Sequence, residues 1–291
     1  MKLDTDTDVA FHERLAMSID PLLRTLKVDI PSKPDALVEL SLMLADDHVN
    51  LQAMSALIAA DMALASAVLK AVNSSLYGLN GRVQSVKQAI TYLGTREVAS
   101  VTFAMGLKAV FPYAPELDPI WDRANVRGML MGRIGKSLDV DPWVAHSAGL
   151  FEECGKAVLL RHAPERYRAM LKTAAEDDKE LLLLEHAEFG VSHEALGAAL
   201  CESWGLAPLA VDSVRFHVVV NATGDLPKQL QRPAICMLSV LANGLMKDPA
   251  TVEDLVNKVA PQAAMDPEVV LGAVRGIQRQ LEAAMERQQA A

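Results

Sequence analysis

Two adjacent carboxylates, Glu152 and Glu153, stand in the otherwise apolar run Ala148-Gly-Leu-Phe-Glu-Glu-Cys-Gly-Lys-Ala-Val-Leu159. Hard divalent cations take oxygen ligands, so two acids in such a setting could serve one ion. Successive helical residues diverge by about 100°, however, and the plainer reading has one or both acids facing solvent. His193 and His217 are the other side chains with ligand chemistry, but two imidazoles fall short of the three or four ligands of a usual site. Their plainer roles are help in capping the helix that Ser192 opens, for His193, and partial burial near a helix end, for His217. His146 and His162 flank the acidic segment without a ligand-like partner nearby, which suits surface or capping roles. Glu176-Asp177-Asp178, the longest acidic stretch, reads as a solvated turn. Asn73, Ser74, Tyr77 and Gly78 make a polar, aromatic loop in which Asn73 bonding the turn backbone is preferred to a ligand role. Gly78 and Gly94 read as backbone devices and not as phosphate cradles.

The elements that must position these groups read as helices throughout. An amphipathic stretch, Phe11, Leu15, Ile19, Leu22, Leu23 and Leu26, precedes Pro31-Ser-Lys-Pro34, where Ser32 is a candidate cap. Asp46-Asp47 closes the next helix, Asn50 caps another, and Asp61 opens a third. Ser85-Val-Lys-Gln88 has the form of a capping box, Gly94 ends its helix and Thr95 caps the following one. Residues 30–110 thus hold about five short helices. Three prolines in Phe111 to Pro119 mark the best internal boundary. Further helices are expected near 120–138, 142–161 (Asp141 cap, Pro142 first), 164–187, 192–204 and 208–220. After a polar loop, 221–227, come helices near 228–246, after Thr251, and after Asp266-Pro267. The divisions are an N-terminal extension 1–29, a helical lobe 30–115, a second lobe 116–220 and C-terminal helices 221–291.

Composition agrees with an all-α fold. Of 291 residues 51% are hydrophobic but only 4% aromatic, and Ala, Leu and Met, which fill most apolar positions with Val, favour helices. The 13 methionines sit mostly at core spacing. The formal net charge of -9 and the lack of any Lys/Arg cluster argue against nucleic acid, whose phosphates call for a basic stripe. A partner with a basic patch is compatible with it. Cys154, Cys201 and Cys236 are odd in number and in no metal-ligand spacing, so reduced thiols are expected. The N-terminus lacks the apolar core of a secretory signal, and no apolar run approaches the roughly 18–20 residues of a membrane span. A cytoplasmic protein with no membrane segment is the expectation.

Several ordered segments carry a resemblance. Ala148 to Leu159 looks like the HD phosphohydrolase signature, roughly AGLLHDIGK, with Glu152-Glu153 in place of its His-Asp pair. Ile30 to Pro34, Ile58 to Gly78 and Val83 to Gly94 resemble the opening motifs of the HDOD (HD-related output domain) family. Phe189 to Gly197, Trp204-Gly-Leu206 and Arg215-Phe-His217 resemble its later ones, so the likeness covers about residues 30–220. It implies a multi-helix HDOD fold, an N-terminal helical lobe packed on a pseudo-HD lobe.

The resemblance also bears on chemistry. A working HD hydrolase holds one or two metals with an early His, the His-Asp pair and a late Asp, and the metal activates water against a phosphoester. Here the early His position falls at Arg123, which stays protonated and has no lone pair to give. Arg123 is therefore expected to form a salt bridge with Glu152 or Glu153 where the metal would lie, leaving a degenerate site with no metal and no cofactor. The implied function is a non-catalytic bacterial signal-transduction output or scaffold domain acting on protein partners. The alternatives are a divergent metal-dependent phosphohydrolase, with Glu152, Glu153, His193 and His217 as ligands, or a nucleotide or cyclic-dinucleotide sensor using the same cleft.

Overall fold

The structure, a computed structural model, describes residues 28–44, 49–74, 77, 79, 81–175 and 177–289. The amphipathic stretch 11–26, Asp46-Asp47, Gly78 and Glu176 lie outside the described residues. Every regular element among the described residues is helical. They fall into two compact units. The smaller takes Ser32–Pro112 together with the chain from Arg275, the larger Tyr113–Val274 with residues 28–31.

The smaller unit contains α1 (Asp35–Leu44), α2 (Leu51–Ala60), α3 (Met62–Val72), α4 (Val86–Leu93) and α5 (Thr95–Ala109). Asn50 caps α2 by accepting from Gln52 and Ala53, and Asp61 caps α3 by accepting from Ala63 and Leu64. Such short polar side chains satisfy N–H groups that a helix start leaves orphaned. Half of the expected capping box forms: Ser85 accepts from Gln88 N–H at 3.2 Å, but the Gln88 side chain accepts from Gln84 N–H at 2.8 Å, one residue before the cap. Two caps differ from expectation. Helix α1 begins at Asp35, where Leu37 and Val38 donate to Pro34 O, so Pro34 and not Ser32 stands at its cap position. Thr95 is already helical, and Gly94 at φ 86° makes the sharp link between α4 and α5. Leu37, Leu40, Met54, Ile58, Val68, Val72 and Leu107 form this unit's core.

The larger unit contains α6 (Asp118–Ser137), α7 (Pro142–Phe151), α8 (Cys154–His162), α9 (Pro164–Ala174), α10 (Asp178–Phe189), α11 (His193–Ser203), α12 (Pro208–Thr223), α13 (Ala234–Lys247) and α14 (Val252–Val259). The final helix, α15 (Pro267–Gln289), runs on past this unit's last residue, Val274. Asp141 and Ser192 cap α7 and α11 as expected. Two expected long helices are each broken. The run 142–161 breaks at Glu152-Glu153, and 164–187 breaks where Ala175 takes a left-handed conformation and Asp177 caps α10. Helix α12 extends to Thr223, into the expected loop, and α13 starts only at Ala234. Helices α6, α7, α12 and α13 pack on one another, and α8 packs on α11. Their core includes all three cysteines, each free and no more than 1% exposed. No single described helix is long and apolar enough to cross a membrane.

Candidate functional site: a buried ion cluster beside paired histidines

The break between α7 and α8 is what turns the two acids inward. Glu152 keeps its helical N–H bond to Ala148 O at 3.1 Å, while Glu153 leaves helical geometry at φ -97°, ψ 4°. Just beyond, Gly155 lets α8 lie against α11 backbone to backbone. A Cβ there would sit 1.9 Å from His193 O and 2.8 Å from Gly197 N. Neither acid faces solvent: Glu152 is 0% and Glu153 3% exposed.

Three cations meet on Glu153. Arg123, on α6, donates from Nε to Oε2 at 3.2 Å and from Nη2 to Oε1 at 2.8 Å. One turn later on α6, Arg127 donates to Oε2 at 2.8 Å, and Lys156 donates to Oε1 at 2.7 Å. Burial by itself would raise the Glu153 carboxyl, but Lys156, Arg127 and Arg123 override it and hold the group well below the usual carboxylate range. Glu152 has poorer company. Arg127 Nε lies 3.2 Å from its Oε2, and Ser213 donates weakly to Oε1 at 3.4 Å. Burial therefore dominates and pushes Glu152 up to about 7, against the pull of Arg127 and a bond from Ser239. Lys156 also reaches Asp178 Oδ1 at 2.6 Å. The acidic stretch read as a solvated turn thus supplies a capping residue, Asp177, and a partner for a buried lysine.

The two histidines form a second group. His193 gives its backbone N–H to Glu185 Oε2 at 2.8 Å, and its ring Nδ1 lies 2.8 Å from the same oxygen. Tyr167 donates to Glu185 Oε1 at 2.5 Å. Burial opposes a charge on His193, yet Glu185 outweighs it and raises the imidazole above its ordinary value. His217 donates from Nδ1 to Val214 O at 2.8 Å, and its ring lies edge-on to His193 with centroids 5.3 Å apart. Burial and the neighbouring His193 push His217 down to about 3. Glu194 accepts Val218 N–H at 2.8 Å and is raised by burial to about 8. Both rings are buried, which corrects the partly exposed role expected for His217, and His193 is fixed by Glu185 in addition to standing first in the helix that Ser192 opens. His146 is likewise buried, against Gly128 and Gly132 of α6, and is not a surface residue. His162 is exposed.

The fold therefore joins Arg123 to Glu153, Arg127 to both acids, and His193 to His217. Arg127, Lys156, Asp178, Glu185, Tyr167 and Glu194 were missed by sequence reasoning. Arg127 follows Arg123 by four residues and Lys156 follows Glu153 by three, spacings that put each pair on one helix face. Glu185 and Tyr167 left no such signal. In the smaller unit, Asn73 donates to Val83 O at 2.8 Å and accepts Val83 N–H at 3.1 Å. That two-point clamp is the turn-fixing role expected of it. Ser74 and Tyr77 form backbone turn bonds, Ser74 to Ala71 O and Tyr77 to Ser74 O.

The resemblance of residues 148–159 to the HD phosphohydrolase signature raises the matter of a metal. A divalent ion needs lone pairs, and protonated Arg and Lys have none to give. The oxygens of Glu153 are taken by three fixed positive charges that would repel an ion. No three His, Cys, Asp or Glu side chains gather as a metal set among the described residues. The donor set present at Glu152 and Glu153 does not fit a divalent cation.

Comparison with known proteins agrees with the architecture. The HDOD domain profile matches residues 30–220. A curated but uncharacterized protein of Treponema pallidum (strain Nichols) is 28% identical over 192 residues, which is 65% of this chain and 37% of that protein. The chain thus spans little more than a third of that relative's length. Among solved structures, a candidate phosphohydrolase from Shewanella amazonensis SB2B superposes with a TM-score of 0.68 at 20% identity, over 93% of this chain and 99% of that one. An HDOD domain protein of unknown function from Geobacter sulfurreducens gives 0.61 at 18%, covering 97% and 98%. A candidate signal-transduction protein from Marinobacter aquaeolei VT8 gives 0.66 at 19%, covering 98% and 66%. At these identities the structures attest the fold alone.

Proposed function

This chain belongs to the HDOD domain family, and on that premise we propose that it is a bacterial signal-transduction output module that works by contact with protein partners and not by turning over a substrate. The observation that carries this is the saturation of Glu153 by Arg123, Arg127 and Lys156. Metal-assisted hydrolysis needs an ion whose bound water is made acidic. In this cluster the positions that would hold the ion are bonded to one another, so the charges serve cohesion. The formal net charge of -9, which disfavours nucleic acid, is compatible with the same reading.

Elemental analysis tests it. Protein purified without chelator, then soaked in Mn²⁺, Fe²⁺ and Zn²⁺ and desalted, is expected to carry far less than one metal per chain. Near-stoichiometric metal that disappears in a Glu152→Ala, Glu153→Ala double variant would overturn the proposal and make phosphodiester hydrolysis the reaction to pursue.

A further inference from the structure

The close approach of α8 to α11 also brings two thiols together. A Cβ on Gly197 would lie 3.4 Å from Gly155 N and 3.5 Å from Cys154 Sγ. Cys154 Sγ itself donates to Gly197 O at 4.0 Å. Within a helix that carbonyl accepts the N–H four residues on, which belongs to Cys201, and residues four apart share a face. Cys201 thus stands one turn along α11 from the carbonyl that Cys154 touches, and its thiol meets that of Cys154 in a weak hydrogen bond. Both lie in the core, Cys154 1% and Cys201 0% exposed. Cys236, on α13, keeps other company: its thiol is bonded to Ser213 and feels Glu152 and Asp212.

Neither Cys154 nor Cys201 takes part in the ion cluster or the histidine group. Burial keeps the Cys201 thiol protonated, so the pair reacts only when α8 parts from α11. Reclosing then sets an oxidised sulfur against its partner thiol. The unfolded chain has the opposite preference. Cys154 and Cys201 stand 47 residues apart and Cys201 and Cys236 only 35, so loop closure alone favours the second pair. The fold and the chain statistics therefore select different disulfides.

We propose that Cys154 and Cys201 are an oxidation site, closing to an intrachain disulfide with a hydroperoxide as oxidant. One thiol attacks the peroxide, the O–O bond breaks, and a sulfenic acid and one water form. The other thiol attacks the sulfenic sulfur, making the S–S bond and releasing a second water. The two sulfurs lose two electrons and the peroxide takes both. The bond ties the helix of Lys156 to the helix of His193, giving the ion cluster and the histidine group one covalent frame. The test treats the full chain with millimolar hydrogen peroxide, alkylates the remaining thiols in denaturant and maps the tryptic peptides by mass. The folded chain is expected to lose two hydrogens in mass, to join peptide 137–156 to peptide 180–215, and to leave Cys236 alkylated. In concentrated guanidinium the order reverses, with the Cys201–Cys236 link ahead by about 1.5-fold. Dithiothreitol is expected to restore the starting mass. Cys154→Ala and Cys201→Ala should each abolish the folded-state link, and Cys236→Ser should keep it. A folded-state link through Cys236, the same mixture of links in folded and unfolded chain, or no disulfide in the folded chain would overturn the site.

Discussion

Arg123 and Arg127 lie one helical turn apart and touch the same carboxylate, but burial separates them. The Arg127 side chain is 5% exposed and bridges Glu152 and Glu153, whereas that of Arg123 is 35% exposed. Removing one partner from a buried ion network leaves uncompensated charge, so Arg127→Ala is expected to cost ~3–5 kcal/mol. Arg123→Ala leaves Glu153 with two cations and removes a solvent-screened pair, for a loss of about 1 kcal/mol. Urea unfolding of both variants checks the order, and equal losses would contradict the cluster as described. The candidate positions Arg123, Glu152 and Glu153 were legible from the sequence because a known pattern was broken there. Arg127, which binds both acids, broke no pattern and passed as one more charge on a helix.

Among the helices, the contact of α8 with α11 is the most demanding. An added Cβ at Gly155 meets a backbone carbonyl, which cannot swing aside as a flexible side chain can. Gly155→Ala is expected to cost at least about 3 kcal/mol, the upper end of ordinary overpacking. Gly272→Ala on α15, where nothing lies within 4 Å of the new atom, makes the control and should be neutral or stabilising by up to about 1 kcal/mol. Thermal unfolding of the pair decides it, and an unchanged midpoint in Gly155→Ala would refute the backbone contact. Helix starts were readable where a short polar residue precedes an apolar run, as at Asn50, Asp61, Asp141 and Ser192. The break at Glu152-Glu153 was not, because the apolar rhythm continues on both sides of it. The break after Ala174 did carry a local signal, the acidic stretch in which Asp177 caps α10.

At the level of the whole molecule, the helical class followed from an Ala-, Leu- and Met-rich, aromatic-poor composition, and the extent of the family match from motifs in order along residues 30–220. Partners such as Tyr167, Glu185 and His193 are brought together by the fold, which periodicity does not encode. Their consequence is a global dependence on pH. Glu152, raised to about 7, keeps its proton in the folded state where the unfolded chain has lost it above about 4.3. The folded state then binds more protons across that window, and this group's contribution to stability falls as pH rises through it. His217, lowered to about 3, has the opposite sign below its ordinary value of about 6.5, and Glu153 loses its stabilising contribution only in acid. Both are common to wild type and Glu152→Gln. The difference in melting temperature, variant minus wild type, is expected to grow from about pH 4.5 to about pH 7 and then level off. A difference that stays flat across this range would show that Glu152 titrates normally.

The three cysteines have a consequence of their own. Cys154, Cys201 and Cys236 all lie in the larger unit, away from water. Burial raises the Cys201 and Cys236 thiols, and only the thiolate is reactive. An alkylating reagent must therefore wait for the chain to open, and its slow uptake would keep time for the opening of that unit. The molecule carries its own stopwatch, started by the reagent and read by the mass of each successive adduct.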